Sequence, residues 1–360
     1  MPTIPEGGLI LITGANGFVA GVTIQSFIGR GYSVRGTVRS AEKHQWMLAH
    51  YGPKFSLFQV SDMAVHDAFD EAVKGVDGIA HLASNVEFAA DPHAVITPTV
   101  NGLTNILEAA AKEPKVKSVV FTSSQGACIT LVPGQPYFIG KDTWNISSIE
   151  KAWTKNPEPG MQHLINVYCA SKTQAEKIGF EWVNEHKPHF TFNTVVPNCN
   201  FGIVASPQNT GFNTSAGLLK SIFHGSPMAP NVISAQFYVD VEDTALLHMA
   251  ALTQPDVQNE RLFAFAAKFT WNEILYIFRK LYPERTFLKD VQEPPADVGT
   301  ISGEVHDRAE ELLRRFGKNG FTSLERALEK ATEQIVATEE VQLPETLIDR
   351  MEAHMKAQAQ

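Results

Sequence analysis

A short apolar run that passes directly into a glycine-spaced turn does most to limit what this chain can become. Leu9-Ile10-Leu11-Ile12-Thr13 reads as a buried strand. Gly14-Ala15-Asn16-Gly17-Phe18-Val19-Ala20 follows without a gap, and a helical pattern through Val22, Phe27 and Ile28 comes next. The small residues fall at GxxGxxA spacing. Gly14 permits a tight turn, Gly17 lets backbone approach a pyrophosphate at a helix N-terminus, and Ala20 allows close packing of helix on strand. A plain strand-to-helix turn is the alternative; the position after the first strand favours a dinucleotide site.

The next stretches repeat the pattern. Strands are expected at Tyr32–Val38, Phe55–Val60, Gly78–Ser84, in the Val119 run that ends in Ser123-Ser124, and at Phe190–Val196. Helices are expected over Thr97–Lys112 and around Tyr168 to Glu185. Alternating β and α segments imply an α/β fold, a Rossmann-type doubly wound parallel sheet. Residues 1–202 form that domain in this reading, with 236–265 returning to it. Residues 203–235 and 266–360 form a smaller C-terminal lobe that supplies the wall of a substrate pocket. The Pro-, Gly- and Trp-containing stretch Gln125–Gly160 is a long loop expected to cover one side of the site.

Ligands of open α/β sheets bind at the carboxyl ends of the strands. Ser124 lies at such an end. Tyr168 and Lys172 are four apart, hence on one face of a helix. A nearby ammonium favours phenolate and brings a phenol toward use as an acid or base. A hydroxyl, a phenol and a cation can thus converge on one carbonyl oxygen. By itself the YxxxK spacing also fits any exposed amphipathic helix.

Past the second strand, where an NAD-selective site offers a carboxylate, stand Arg39 and, one turn on, Lys43. A guanidinium suits bidentate phosphate binding, so this is read as a 2′-phosphate site and the cofactor as NADPH; the alternative is a solvated loop arginine. Asp62 either accepts a bond from an adenine amino group or caps the helix beginning near Val65. His81, inside an apolar run, reads as a core histidine, and Asn101 either holds backbone or water near the nicotinamide ribose or braces a strand.

Net charge of −9 without a basic stripe argues against nucleic acid or anionic membrane as partner. No apolar run is long enough to span a bilayer and no leader is visible at the start. Cys128, Cys169 and Cys199 show no CxxC spacing and read as reduced thiols of a cytoplasmic protein. No HExxH or Cys/His cluster suggests a metal. The partner expected is a small-molecule carbonyl compound, bound by a monomer or homodimer.

With the GxxGxxA turn, Thr37-Val38-Arg39-Ser40, Phe121-Thr122-Ser123-Ser124 and Tyr168-Cys169-Ala170-Ser171-Lys172 in view, the chain resembles the extended short-chain dehydrogenases/reductases over nearly its whole length. Thr13–Ala20, Gly31–Ser40 and Lys187-Pro188-His189-Phe190-Thr191 are similar to the dihydroflavonol-4-reductase-like branch, and to its fungal NADPH-dependent aldehyde/carbonyl reductases in particular. The resemblance implies Ser124, Tyr168 and Lys172 as catalytic residues, with the first two 44 positions apart as in those reductases. It implies cofactor contacts at Gly14, Asn16, Gly17, Phe18, Val19, Arg39, Lys43, Asp62, Met63, Ala83, Ser84, Tyr168, Lys172 and Pro197. Phe88, Leu218, Gln236 and Phe237 are implied as pocket residues, with a core role as the alternative for each.

Two departures bear on the substrate. Gln125-Gly126-Ala127-Cys128 stands where epimerases of this class carry a Tyr-Gly pair, and Ile129 stands where plant dihydroflavonol reductases carry an Asn. The reading is therefore hydride reduction of aldehydes or ketones, ketoesters included, with Tyr168 as proton donor. The competing readings are an NAD-dependent nucleotide-sugar epimerase or dehydratase and a non-catalytic NADPH-sensing regulator.

Overall fold

The computed structural model of the chain describes residues 4–84, 89–155, 157 and 160–358. In chain order the first domain begins β1 (Leu9–Thr13), α1 (Phe18–Gly29), β2 (Ser33–Val38), α2 (Trp46–Tyr51), β3 (Phe55–Gln59), β4 (Gly78–His81), α3 (Pro92–Lys112) and β5 (Ser118–Thr122). It continues with β6 (Phe138–Ile139), α4 (Ile146–Ala152), α5 (Met161–His186), β7 (Thr191–Pro197) and β8 (Cys199–Phe201). Then come α6 (Pro207–Thr210), α7 (Thr214–Phe223), α8 (Ala229–Val232), β9 (Phe237–Asp240), α9 (Val241–Thr253), β10 (Arg261–Ala264) and β11 (Ala267–Lys268). The chain closes with α10 (Trp271–Leu281), β12 (Thr300–Ile301), α11 (Gly303–Arg315), α12 (Leu324–Ala337) and α13 (Leu347–Gln358).

Seven strands pair in the order β10-β7-β5-β4-β1-β2-β3, all parallel. This is the Rossmann order extended by one strand at the β10 edge. Alternate residues of β1 feed opposite faces: Ile10 and Ile12 join Phe27, Val34 and Leu247 on one side, and Leu11 joins Phe69, Ile79, Phe121 and Phe192 on the other. Both faces are covered, which is why the strands read as continuous apolar runs. The crossover between β1 and β4 opens the crevice where such sheets bind ligands.

A second apolar cluster surrounds Trp271, with Phe201, Leu218, Phe223, Phe278 and Leu328. The small sheet β11-β9-β8 runs through it, and α7, α10, α12 and α13 pack there. α9 instead packs on α1 and on β5 and β7. The loop after Ser124 is tied to the distant 295–302 segment. β6 pairs with β12, Tyr137 Oη donates to Asp297 Oδ2 at 2.7 Å, and a Cβ at Gly299 would sit 2.1 Å from the Tyr137 ring.

Several boundaries differ from those expected, for local reasons. α3 starts five residues before Thr97, because the Asp91 carboxylate accepts from His93 N at 3.0 Å and Pro92 opens the helix; Pro98 lies inside it. β4 stops at His81 rather than Ser84. β10 was not expected, since its first residue is charged, and the loop 125–160 contains β6 and α4.

Candidate active site

The turn after β1 is built as its glycines require. Gly14 has φ +65°, which an L side chain rarely adopts, and a Cβ there would lie 2.9 Å from Ala83 Cα. Gly17 N donates to Gly14 O at 2.8 Å, and Ala15 N to Thr37 O at 2.9 Å. The turn is therefore wedged between the ends of β4 and β2. Gly17 is the N-cap of α1 and offers no side chain to the first N–H groups of that helix. Asn16 is exposed, Phe18 buried and Val19 half-buried.

Thr13 Oγ1 bonds His81 Nδ1 at 2.9 Å and accepts from Ala83 N, also at 2.9 Å, which fixes the start of the 83–84 segment. Ser84 Oγ is buried with no hydrogen-bond partner among the described residues. His81 is a core histidine as expected, lying between Phe69 and Phe121, but it is not fully satisfied, since its Nε2 has no partner among the described residues; burial, with the Lys172 charge, pushes it down to about 3. At the end of β2, Arg39 and Lys43 are exposed, and no ion pair holds either among the described residues. Asp62 accepts from Ala64 N at 2.9 Å within a turn, not at the head of a helix. Met63 lies against Gly102, and its carbonyl accepts from Asn105 Nδ2 at 2.9 Å. Asn105 thus braces the segment after β3 rather than a strand, and Asn101 is exposed. A polar residue between Leu103 and Ile106 was the signal that could have found it.

Ser124, Tyr168 and Lys172 meet beyond β5. Ser123 N continues the ladder to Val195 O at 2.8 Å, and Ser124 then caps a short turn, its Oγ accepting from Gly126 N at 3.1 Å. The Ser124 hydroxyl also hydrogen-bonds Tyr168. Burial pushes the Tyr168 phenol above its ordinary value, and the Ser124 bond only partly offsets this. The downward pull expected from Lys172 is not found: enclosure raises the phenol, and the opposing influence comes from Ser124. The phenol consequently keeps its proton at neutral pH. Lys172 is buried and donates from Nζ to Thr122 O at 2.9 Å, with the Phe121 ring centroid 5.1 Å away. Burial holds it down to about 8, against an upward pull from Glu176.

Sequence reasoning missed the groups behind this trio. His248 on α9 bonds Thr122 Oγ1 at 2.7 Å through Nε2 and Thr244 O at 2.8 Å through Nδ1. A carbonyl only accepts, so Nδ1 carries the proton and Thr122 donates to Nε2. Glu176 and Arg261 form a buried ion pair at 2.9 Å. Pro197 ends β7, and the next residue, Asn198, keeps its Nδ2 buried without a partner among the described residues. Cys128, Cys169 and Cys199 are buried free thiols pushed up to about 12, 11 and 12 by burial, so none is a ready thiolate.

Of the four pocket candidates, Phe237 is 7% exposed in a cluster with Cys128, Val196 and Phe265, bordered by Ile129 and Tyr137. Gln236 is half-buried, and its carbonyl accepts from Phe269 N. Leu218 is enclosed in the lobe's core at 1% exposure. Phe88 lies outside the described residues.

Comparison with known proteins fits this layout. The sequence pattern of the NAD dependent epimerase/dehydratase family matches residues 10–264. The chain belongs to this family. Within it, the chain is 39% identical over 333 residues to aldehyde reductase 2 of Sporidiobolus salmonicolor, covering 90% of this chain and 95% of that protein. It is 39% identical over 338 residues to the NAD-dependent epimerase/dehydratase terH of Aspergillus terreus, covering 92% and 97%. Among solved structures, yeast methylglyoxal/isovaleraldehyde reductase Gre2 complexed with NADPH superposes with a TM-score of 0.77 at 26% identity, covering 92% of this chain and 99% of that one. For this member of the epimerase/dehydratase family, no helix among the described residues is long and apolar enough to cross a membrane.

Proposed function

We propose that the chain is an NADPH-dependent reductase of aldehydes and ketones, ketoesters among them, with Tyr168 as proton donor. The observation that carries this reading is the hydrogen-bonded Ser124–Tyr168 pair with Lys172 one turn away, at the same carboxyl end of the parallel sheet as the Gly14 turn. The crevice suits a phosphorylated dinucleotide. Gly14 lets the turn press against the Ala83 backbone at its floor, the first N–H groups of α1 lack a side-chain cap, Ser84 Oγ and Asn198 Nδ2 are buried donors without partners among the described residues, and Arg39 is exposed just past β2. Gly14, Gly17 and Phe18 would hold the pyrophosphate, Arg39 and Lys43 a 2′-phosphate, Asp62 and Met63 the adenine side, and Ala83, Ser84 and Pro197 the nicotinamide side. The names of the relatives, an aldehyde reductase and a reductase complexed with NADPH, support the same reading.

When bound, NADPH supplies the hydride that reaches the carbonyl carbon. Tyr168 Oη gives its proton to the carbonyl oxygen as charge grows there, and the Ser124 hydroxyl hydrogen-bonds that oxygen. Lys172, a buried cation beside the phenol, stabilises the phenolate left behind. The segments 203–235 and 266–360 would form the lobe that closes on the substrate, except for α11, which packs on α9 and β10 with Ala309, Leu312 and Leu313 in the core of the large sheet; Phe237 with Ile129 would contribute an apolar wall.

The test is Tyr168→Phe, assayed by carbonyl-dependent NADPH oxidation over a panel of aldehydes, ketones and ketoesters. A fall of about 100-fold or more is expected. Retention of most of the rate removes Tyr168 as the acid. A second reading, epimerisation or dehydration, is favoured by the name of one relative, an NAD-dependent epimerase/dehydratase, and predicts no net coenzyme consumption.

A further inference from the structure

Glu176 lies on the face of α5 that carries Tyr168 and Lys172, one turn beyond the lysine. Its carboxylate is fully enclosed, and each oxygen accepts two bonds. Oε1 accepts from Thr194 Oγ1 at 2.6 Å and Arg261 Nε at 2.9 Å. Oε2 accepts from Ser123 Oγ at 2.7 Å and Arg261 Nη2 at 3.1 Å. The guanidinium donates in turn to the carbonyls of Lys141 and Thr143, both at 2.8 Å, and its Cζ stands 3.8 Å from the Trp144 ring centroid. One carboxylate therefore gathers the end of β5, β7, β10 and the loop after Ser124. A buried ion pair seldom outperforms apolar packing as a source of stability, so its place at the root of the catalytic face points to orientation.

We propose that Glu176 is a positioning residue: it locks the helix face bearing Tyr168 and Lys172 to the strand end bearing Ser124, and keeps a negative charge one turn from the Lys172 ammonium. This rests on the reductase reading above. The groups around Lys172 leave that task to Glu176. Tyr168 shares its helix as a neutral phenol. His81 faces it from β4 and is neutral, its pKa held down to about 3. His248, behind Thr122 on α9, is held down to about 4 by burial and is neutral too. Arg261 on β10 lies beyond the carboxylate and is engaged by it.

Two variants separate charge from shape. Glu176→Gln keeps the shape and removes the charge, so the alkaline limb of kcat moves to lower pH by about one unit. Glu176→Asp keeps the charge and shortens the reach, so the limb stays while kcat falls about tenfold. In both, the NADPH Kd measured by fluorescence changes less than kcat does, since the Gly14 turn and Arg39 are untouched and only the implied Lys172 contact shifts. Ser123→Ala leaves the ion pair intact and supplies the reading if a Glu176 variant does not fold; kcat is expected to fall about fivefold at unchanged NADPH Kd. Folded variants with wild-type kcat and an unmoved limb overturn the proposal. Tyr168→Phe in parallel distinguishes the two claims. If it is inactive while the Glu176 and Ser123 variants match wild type, the positioning role alone falls; if it stays active, Tyr168 falls as proton donor; and if wild type oxidises no NADPH with any carbonyl of the panel, the reductase reading falls.

Discussion

Replacing Lys172 by Met should make the protein more stable as it abolishes the activity, and the effect should depend on pH in one direction. Lys172 is 3% exposed, and its pKa is lowered from 10.5 to about 8, by burial first. The unfolded chain therefore binds a proton that the folded chain does not between about pH 8 and 10.5. The sign follows. Wild type carries the full cost of a buried ammonium below pH 8 and loses it as pH rises toward 10.5. At about 1.4 kcal/mol per unit, the span corresponds to about 3 kcal/mol. Lys172→Met has no such term. Urea unfolding of both proteins at several pH values gives the difference, in which all shared titrations cancel. Relative to the variant, wild type should gain about 3 kcal/mol between pH 7 and 10.5. A difference that is flat across that window, or that runs the other way, refutes the account of Lys172 as a buried cation held at a cost for the sake of the site.

Two further outcomes are expected. Arg39→Ala should weaken NADPH binding by about 10- to 100-fold, the worth of charge-assisted phosphate bonds, while NADH binding changes less than about threefold; equal losses for both coenzymes count against a 2′-phosphate role. Gly14→Ala combines positive φ with a Cβ 2.9 Å from Ala83 backbone and should cost about 2–4 kcal/mol in urea unfolding, whereas Gly29→Ala, with nothing within 4 Å, should stay within about 1 kcal/mol of wild type.

What could be read from the chain was mostly local. The β1 turn declares itself because its glycines and Ala20 act within one strand–helix unit, and the YxxxK spacing becomes a shared helix face by geometry alone. The fold class followed from alternation, since a parallel sheet covered on both sides leaves continuous apolar runs. Contacts closed over long distances in sequence left no trace. Glu176 and Arg261 are 85 positions apart, and Arg261 in isolation looks like a loop residue, which also hid β10. His248 sits in an ordinary helical stretch until β5 is placed beside it. The Tyr168 pKa ran against expectation because spacing reveals a neighbouring charge but says nothing of enclosure, and enclosure is the larger effect here. Asn105 was passed over in favour of Asn101, one turn away, because which face of α3 is covered depends on the 63–65 segment.

The pairing of β6 with β12 ties together parts of the chain that folding must bring from afar. Tyr137 and Asp297 are separated by 160 positions, and the Tyr137 ring occupies the space that any side chain at Gly299 would claim. The stretch just past Ser124 and the far segment that latches onto it therefore share one fate. Lengthening, shortening or bulking either one unseats the other. Attempts to reshape this flank for a bulkier guest have to treat the two as a single graft.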